Sequence, residues 1–395
     1  SLPGDVPDAE APLDLGQPTR VDLRTRPSDE ALAQLAARLL AARNPVLIAG
    51  HELATRNAHA EAMRLAELLG APVWQQTVPY AAHYPSEHRC FMGSLTRNQA
   101  QVRATLQPHD LLVCLGADVL RMSVMSPVDA LPEGMPIVQI SERDWELGKN
   151  YPTEIAISAH VGETLAALNA LLERTLTAQQ RSGAAQRLTA LEAGNWSAKR
   201  ARHCADAQAL AGTTPIDPTF LMMQISESLP PDAVVVEEGL WSTFPLLNFL
   251  QLRDHQSFFG LASGGIGFAL AGAVGISLAL PSRPVVAVVG DGSAMYSIQA
   301  LWTAAHLGLP ITYVIPNNRG YRILKERLKS FRKTERFIGM DLRRPEIDFV
   351  ALAQSLGLPA QRITDPADIA PALRGIGGRQ GPALFDIQVA DGFST

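Results

Sequence analysis

The chain has 395 residues, 47% apolar and 18% charged, with 34 basic side chains against 39 acidic ones for a formal charge of −5. That length fits two or three domains with filled cores, and the composition excludes a disordered chain. So balanced a charge leaves no global field for holding nucleic acid. The three cysteines, Cys90, Cys114 and Cys204, show no CxxC pair and no metal-ligand spacing. They predict a reducing, cytoplasmic setting without a disulfide framework. Ser1-Leu2-Pro3-Gly4-Asp5 has neither the basic nor the apolar region of a signal peptide.

Residues 1–27 are rich in Pro, Asp and Gly and read as a linker. From 28 to 176, apolar runs alternate with amphipathic stretches: strands at Pro45–Gly50, Pro72–Gln75, Asp110–Gly116 and Pro136–Ile140, and a helix at His59–Leu69. Continuous apolar runs of this length fit strands buried on both faces of a parallel sheet. Residues 177–214, rich in Ala, Gln, Arg and Ser, read as a helical connection between domains. A second α/β unit, 215–395, opens with Asp217 as N-cap and Pro218 at the first helical position, the helix running through Ile225. Further strands are predicted at Ala233–Glu238, Val285–Val289, Ile311–Ile315 and Ala383–Val389. The fold class is therefore α/β, with two doubly wound parallel-sheet domains.

Phe258 to Leu280 is uncharged over 23 positions, long enough to span a bilayer. Gly264-Gly265 breaks it, and Pro281-Ser282-Arg283-Pro284 ends it, so the remainder predicts a buried core helix from Ile266 to Leu280 and no membrane partner. Arg322 to Arg344 holds nine Lys or Arg against three acids and reads as a solvated helix and loop.

The chemistry concentrates in Gly290-Asp291-Gly292, which follows one apolar strand. After 24 residues, Ser293 to Pro316, comes Asn317-Asn318, which follows the next. Ligands of open α/β sheets bind outside the carboxyl ends of strands, so one ligand can touch both motifs. Asp291 offers a carboxylate oxygen, Asn318 an amide oxygen and Gly320 a main-chain carbonyl, a hard oxygen set suited to Mg²⁺ bridging to a diphosphate. Gly292 lets the main chain approach closely, and the N–H groups of Gly292, Ser293 and Ala294 open a helix that favours an anion. As a residue at the end of a strand, Asp291 reads as a surface carboxylate.

The GDG–NN pair resembles the signature of the thiamine-diphosphate-dependent enzymes. The stretch from Gly290 to Ala305 (GDGSAMYSIQALWTAA), Gly264 to Leu270 (GGIGFAL) and Pro85 to Gly93 (PSEHRCFMG) resemble its benzoylformate-decarboxylase branch. The resemblance runs from the leading linker to Val389. It implies thiamine diphosphate and Mg²⁺ as cofactors, with Asp291, Asn318 and the Gly320 carbonyl on the metal. Gly264, Ile266, Asp291, Gly292, Ser293, Asn318, Gly320 and Tyr321 would then line the cofactor site. The Gly264 carbonyl would take the cofactor's 4′-amino group, and Ile266, stiff at χ1, would force the bent cofactor shape. The implied reaction is decarboxylation of a 2-oxo acid, in a homodimer or homotetramer. Alternatives are carboligation of the acetolactate-synthase kind and a non-catalytic cofactor-binding remnant.

The resemblance covers a middle and a diphosphate-binding domain. The family's glutamate toward the aminopyrimidine belongs to a pyrimidine-binding domain that no segment here resembles, so no catalytic residue is assigned. That domain is expected from a missing segment or from another chain. Three further departures stand out. Ser123 falls where the benzoylformate branch has a histidine. Ile323 and Arg327 replace small and aromatic pocket residues. In Glu238-Gly239-Leu240-Trp241-Ser242-Thr243, Leu and Trp stand where hydroxyls are expected, leaving Ser242 or Thr243 to reach a phosphate and Trp241 to pack. His51, His88 and His306 read as structural or surface residues, and no GxGxxG loop marks a nucleotide site in the middle domain.

Overall fold

The structure, a computed structural model, describes residues 16–122 and 126–393. Twelve strands form two six-stranded sheets, with parallel pairing throughout. The first contains β1 (Pro45–Ala49), β2 (Val73–Gln75), β3 (Phe91–Ser94), β4 (Leu111–Leu115), β5 (Ile137–Ser141) and β6 (Ile155–Ser158), in the order β3-β2-β1-β4-β5-β6. The second contains β7 (Val234–Glu238), β8 (Phe258–Gly260), β9 (Val285–Val289), β10 (Ile311–Asn317), β11 (Ala360–Ile363) and β12 (Ala383–Gln388), in the order β11-β12-β10-β9-β7-β8. Each sheet carries a buried apolar cluster on both faces, which is why its central strands read as unbroken apolar runs.

All eight strands expected from apolar runs are present. The four not expected, β3, β6, β8 and β11, are the four edge strands. An edge strand lacks a neighbour on one side and needs no continuous apolar run. β6 and β11 are largely exposed, and β8 lies hidden inside the uncharged 258–280 stretch. The core helix of that stretch begins later than expected, at Ala269, and ends at Ala279. It is buried on one side only, since Ala271, Gly275 and Leu278 face outward. No helix among the described residues is long and apolar enough to cross a membrane.

The helix Pro218–Ser228 starts as the sequence dictates: the Asp217 side chain accepts from the Thr219 N–H, and Pro218 occupies the first turn, where its missing donor costs nothing. The connection is two helices, Ala178–Glu192 and Trp196–Gln208, the first opened by a Thr177–Gln180 capping box.

The segment between β2 and β3 joins the two sheets. Ala81 forms an antiparallel bridge with Phe259 on the edge strand β8. The Gly260 N–H donates to the Tyr80 carbonyl at 2.9 Å, and Ser86 and Leu252 exchange two bonds, each 2.9 Å. His83 is fully buried in this seam, with neither ring nitrogen paired among the described residues. Burial, and then the nearby His51 and His59, push its pKa down to about 3. Native His83 is therefore neutral, while the unfolded chain takes up a proton below pH 6.5. Its contribution to stability is complete above pH 6.5 and is lost as the pH falls toward 3, at about 1.4 kcal/mol per pH unit. His83→Phe is expected to flatten that slope, so that Tm falls less between pH 7 and pH 5 than in the wild type.

Candidate cofactor site at the switch point of the second sheet

β7 and β9 are neighbours whose following connections leave toward opposite edges of the sheet, so a crevice opens at their carboxyl ends. Four loops meet there, those after β7, β8, β9 and β10. The GDG turn lies after β9, with Asp291 the first residue of a four-residue helix, Asp291–Ala294. Asn317 is the last residue of β10, and Asn318 begins the loop.

The GDG and NN motifs meet on one peptide group. Asp291 Oδ2 accepts from the Gly320 N–H at 3.0 Å, and Asn318 Oδ1 accepts from the same N–H at 3.1 Å. Asp291 Oδ1 accepts from the Gly292 N–H at 2.9 Å. The Gly320 carbonyl takes no hydrogen bond among the described residues. Asp291 is 3% exposed, so the expectation of a surface carboxylate is corrected: the short helix and the 317–320 turn enclose it. Burial raises its pKa from 3.8 to about 6, against the pull of the Gly292 and Gly320 N–H groups. No cationic side chain pairs with it among the described residues. A buried carboxylate without a counter-charge, beside an amide oxygen and a free carbonyl, fits a hard divalent cation. Among the described residues no group of three or more His, Cys, Asp or Glu could hold a metal, so a site here depends on amide and carbonyl oxygens.

The other predicted residues sit around this junction in different ways. Ser293 is buried in the same short turn. A Cβ on Gly292 would lie 2.6 Å from the Tyr321 ring. The space left by the missing side chain of Gly292 is filled by Tyr321. Gly264 has φ +80° and open space around it, on the exposed loop after β8, and Ile266 is half-buried in that loop. Asn317 is structural, its amide donating to Asp386 at 2.9 Å. Ser242 lies within the junction, where its hydroxyl accepts from the Asn318 amide at 3.3 Å, whereas the Thr243 hydroxyl is taken by Glu237. Leu240 and Arg319 both have positive φ, 51° and 59°, a strained conformation for such residues that here falls on two of the loops forming the crevice. Ser123 lies outside the described residues.

The basic stretch departs from its expectation. It does form a helix, Arg322–Arg332, but Arg322 is 8% and Lys325 2% exposed, so one face of its first turn is buried while Leu324 and most of the later turns remain exposed. Lys325 pairs with Asp341 at 2.7 Å and Asp391 at 3.0 Å, and Arg343 reaches Asp391 at 3.3 Å. The Arg322 guanidinium donates to Glu326 and lies between two rings, 4.1 Å from Trp241 and 4.0 Å from Phe393. Trp241 therefore packs on a cation, and the segment 390–393 covers the flank of the site. Sequence reasoning missed this because the two rings lie about 70 to 80 residues away on either side, and the acids are brought to Lys325 only by the chain folding back.

Fold and crevice define a doubly wound α/β protein with a buried cluster of oxygen groups at the switch point of its second sheet. Residues 242–387 match the thiamine pyrophosphate enzyme C-terminal TPP-binding domain, and residues 32–168 match the central domain of the same enzymes. The chain belongs to the thiamine pyrophosphate enzyme family. It is 32% identical over 363 residues to a benzoylformate decarboxylase of Pseudomonas aeruginosa, covering 91% of this chain and 64% of that one. It is 28% identical over 399 residues to acetolactate synthase isozyme 1 large subunit of Escherichia coli, covering 98% and 66%. Among solved structures, a thiamine diphosphate-dependent 4-hydroxybenzoylformate decarboxylase of Rhodococcus jostii superposes with a TM-score of 0.79 at 28% identity, covering 95% and 66%. The chain thus spans about two thirds of the length of these relatives, or slightly less.

Removing the guanidinium would leave two ring faces and Glu326 without their shared partner. Arg322→Ala is expected to cost about 2 kcal/mol of stability and to shift tryptophan emission to the red, both read in thermal and fluorescence unfolding.

Proposed function

We propose that this chain holds the Mg²⁺–diphosphate portion of a thiamine-diphosphate-dependent enzyme that decarboxylates a 2-oxo acid, in the manner of benzoylformate decarboxylase. The observation that carries the reading is the convergence of the Asp291 and Asn318 oxygens on the single Gly320 N–H, around a buried carboxylate without a counter-charge. In this reading Asp291, Asn318 and the Gly320 carbonyl hold Mg²⁺. The Ser293 N–H and the hydroxyl of Ser242 face the diphosphate, while the Gly292 N–H holds Asp291 in place. Tyr321, packed over Gly292, closes that side. Gly264 offers its carbonyl and Ile266 its apolar side chain to the rest of the cofactor.

Thiamine diphosphate, when bound, supplies the nucleophilic carbon and the electron sink for breaking the bond to the carboxylate. The chain's own part is to bind, orient and exclude water. The catalytic glutamate and the remainder of the pocket would come from a pyrimidine-binding domain, supplied by a further segment or by another chain, in a homodimer or homotetramer. With Ile323 and Arg327 on the helix beside the site, the reading does not extend to an aromatic substrate.

A second reading, carboligation, is supported by the similarity to acetolactate synthase over nearly the whole chain. Product analysis of the enzyme assembled with its pyrimidine-binding domain separates the two: an aldehyde with CO₂ marks decarboxylation, and a 2-hydroxy ketone marks carboligation.

The site itself is tested by titration calorimetry with thiamine diphosphate, with and without Mg²⁺. The wild type is expected to bind only with Mg²⁺, and Asp291→Ala to lose that dependence, weakening binding at least about a hundredfold. The fold should survive, since a carboxylate whose pKa burial raises is not itself stabilising. Unchanged affinity in Asp291→Ala defeats the assignment.

A further inference from the structure

β7 ends in two glutamates, and neighbouring side chains on a strand point to opposite faces. Glu237 turns to the loop that follows its own strand, accepting from the Gly239 N–H at 2.7 Å and from the Thr243 hydroxyl. Glu238 is buried and turns to the loop after β8, accepting from the Gly267 N–H at 2.5 Å and the Ala269 N–H at 2.6 Å.

The helix Ala269–Ala279 explains why the second contact matters. Its N-cap is Phe268, which has no side-chain acceptor for the free N–H groups of the first turn. Glu238 provides that acceptor from another strand, with its negative charge at the positive end of the helix. The rest of the loop has little to hold it. Gly264 and Gly265 are exposed, nothing lies within contact of a Cβ at Gly264, and a 3.4 Å bond from the Gly265 N–H to the Ser263 hydroxyl is local. At the end of the loop that follows Ile266, Phe268 packs on the core and one carboxylate, that of Glu238, supplies the side-chain hydrogen bonds.

We infer that Glu237 and Glu238 are positioning residues that divide the cofactor cradle between them, an inference that rests on the thiamine diphosphate reading above. Glu237 sets the loop on the diphosphate side, which carries Ser242. Glu238 sets the loop that carries Gly264 and Ile266, on the side of the cofactor's organic part. Neither carboxylate has to touch the cofactor for this. Glu238→Gln keeps the shape of the side chain but turns one acceptor oxygen into an amide donor facing an N–H, so one of the two fastenings is lost.

The test compares two ligands, inorganic pyrophosphate and thiamine diphosphate, each with Mg²⁺, by titration calorimetry. Glu238→Gln is expected to bind pyrophosphate within twofold of the wild type and thiamine diphosphate at least about tenfold more weakly. Glu237→Gln is expected to weaken both. A general loss of structure would lower both affinities in Glu238→Gln, so an equal loss, or none, overturns the inference. Should that variant not fold, hydrogen exchange on the wild type decides. The amides of Gly267 and Ala269 are expected to exchange at least about tenfold more slowly than those of Gly264 and Gly265, and equal rates overturn the inference. A wild type that binds neither ligand refutes the cofactor reading, and this inference with it. A wild type that binds both, beside an unaffected Glu238→Gln, refutes this inference alone.

Discussion

One peptide N–H, that of Gly320, donates both to a carboxylate oxygen from the loop after β9 and to an amide oxygen from the loop after β10. The candidate site is built around that meeting. It places a carboxylate where water is excluded and where, among the described residues, no cationic side chain pairs with it. An isolated buried charge is costly, and the burial that penalises it also strengthens its attraction to any partner of opposite sign, which is the physical basis of the proposed cation site. The sheet makes the meeting possible: parallel β9 and β10 are adjacent in register, so their following loops emerge side by side.

The crevice is held from outside by contacts that do not touch it. Glu237 and Glu238 tie two of its loops to the end of β7, and the Ala81–Phe259 bridge with the Gly260–Tyr80 bond sets the level at which β8 ends. The middle domain thereby bears on the loop that carries Ile266. On the other flank, buried Arg322 and Lys325 draw the segment 390–393 against the helix that follows Tyr321. In a site assembled from loops, this outer bracing decides geometry, since the loops themselves are rich in glycine and short of internal bonds.

Legibility in the sequence followed burial. Strands with neighbours on both sides, such as β1, β4, β9 and β10, show as runs of Val, Ile and Leu because both faces must be apolar. The four edge strands lack that requirement and gave no signal. Asp291, Asn318 and Gly320 were legible because their spacing and placement after strands follow from the topology of a doubly wound sheet. The pairing of Arg322 with Trp241 and Phe393, and of Lys325 with Asp391, was not, since charge patterning along a helix says nothing about rings and acids distant in the chain that fold over it, nor about the turn that carries Asp341 back to Lys325. The glutamates closing β7 held a clue that went unused: two acids at the end of an apolar strand must find donors where water does not reach.

By itself the sequence determined the two α/β units, the order of their central strands along the chain and the chemical type of the oxygen groups at the strand ends, because apolar periodicity and residue chemistry are local properties. Tertiary structure alone decided that Asp291 is buried, that Tyr321 fills the space above Gly292 and that Glu238 caps a helix belonging to another loop. These depend on how far apart residues distant in the chain come to lie, and that distance is set by packing the two sheets and their helices together, not by any single stretch of residues.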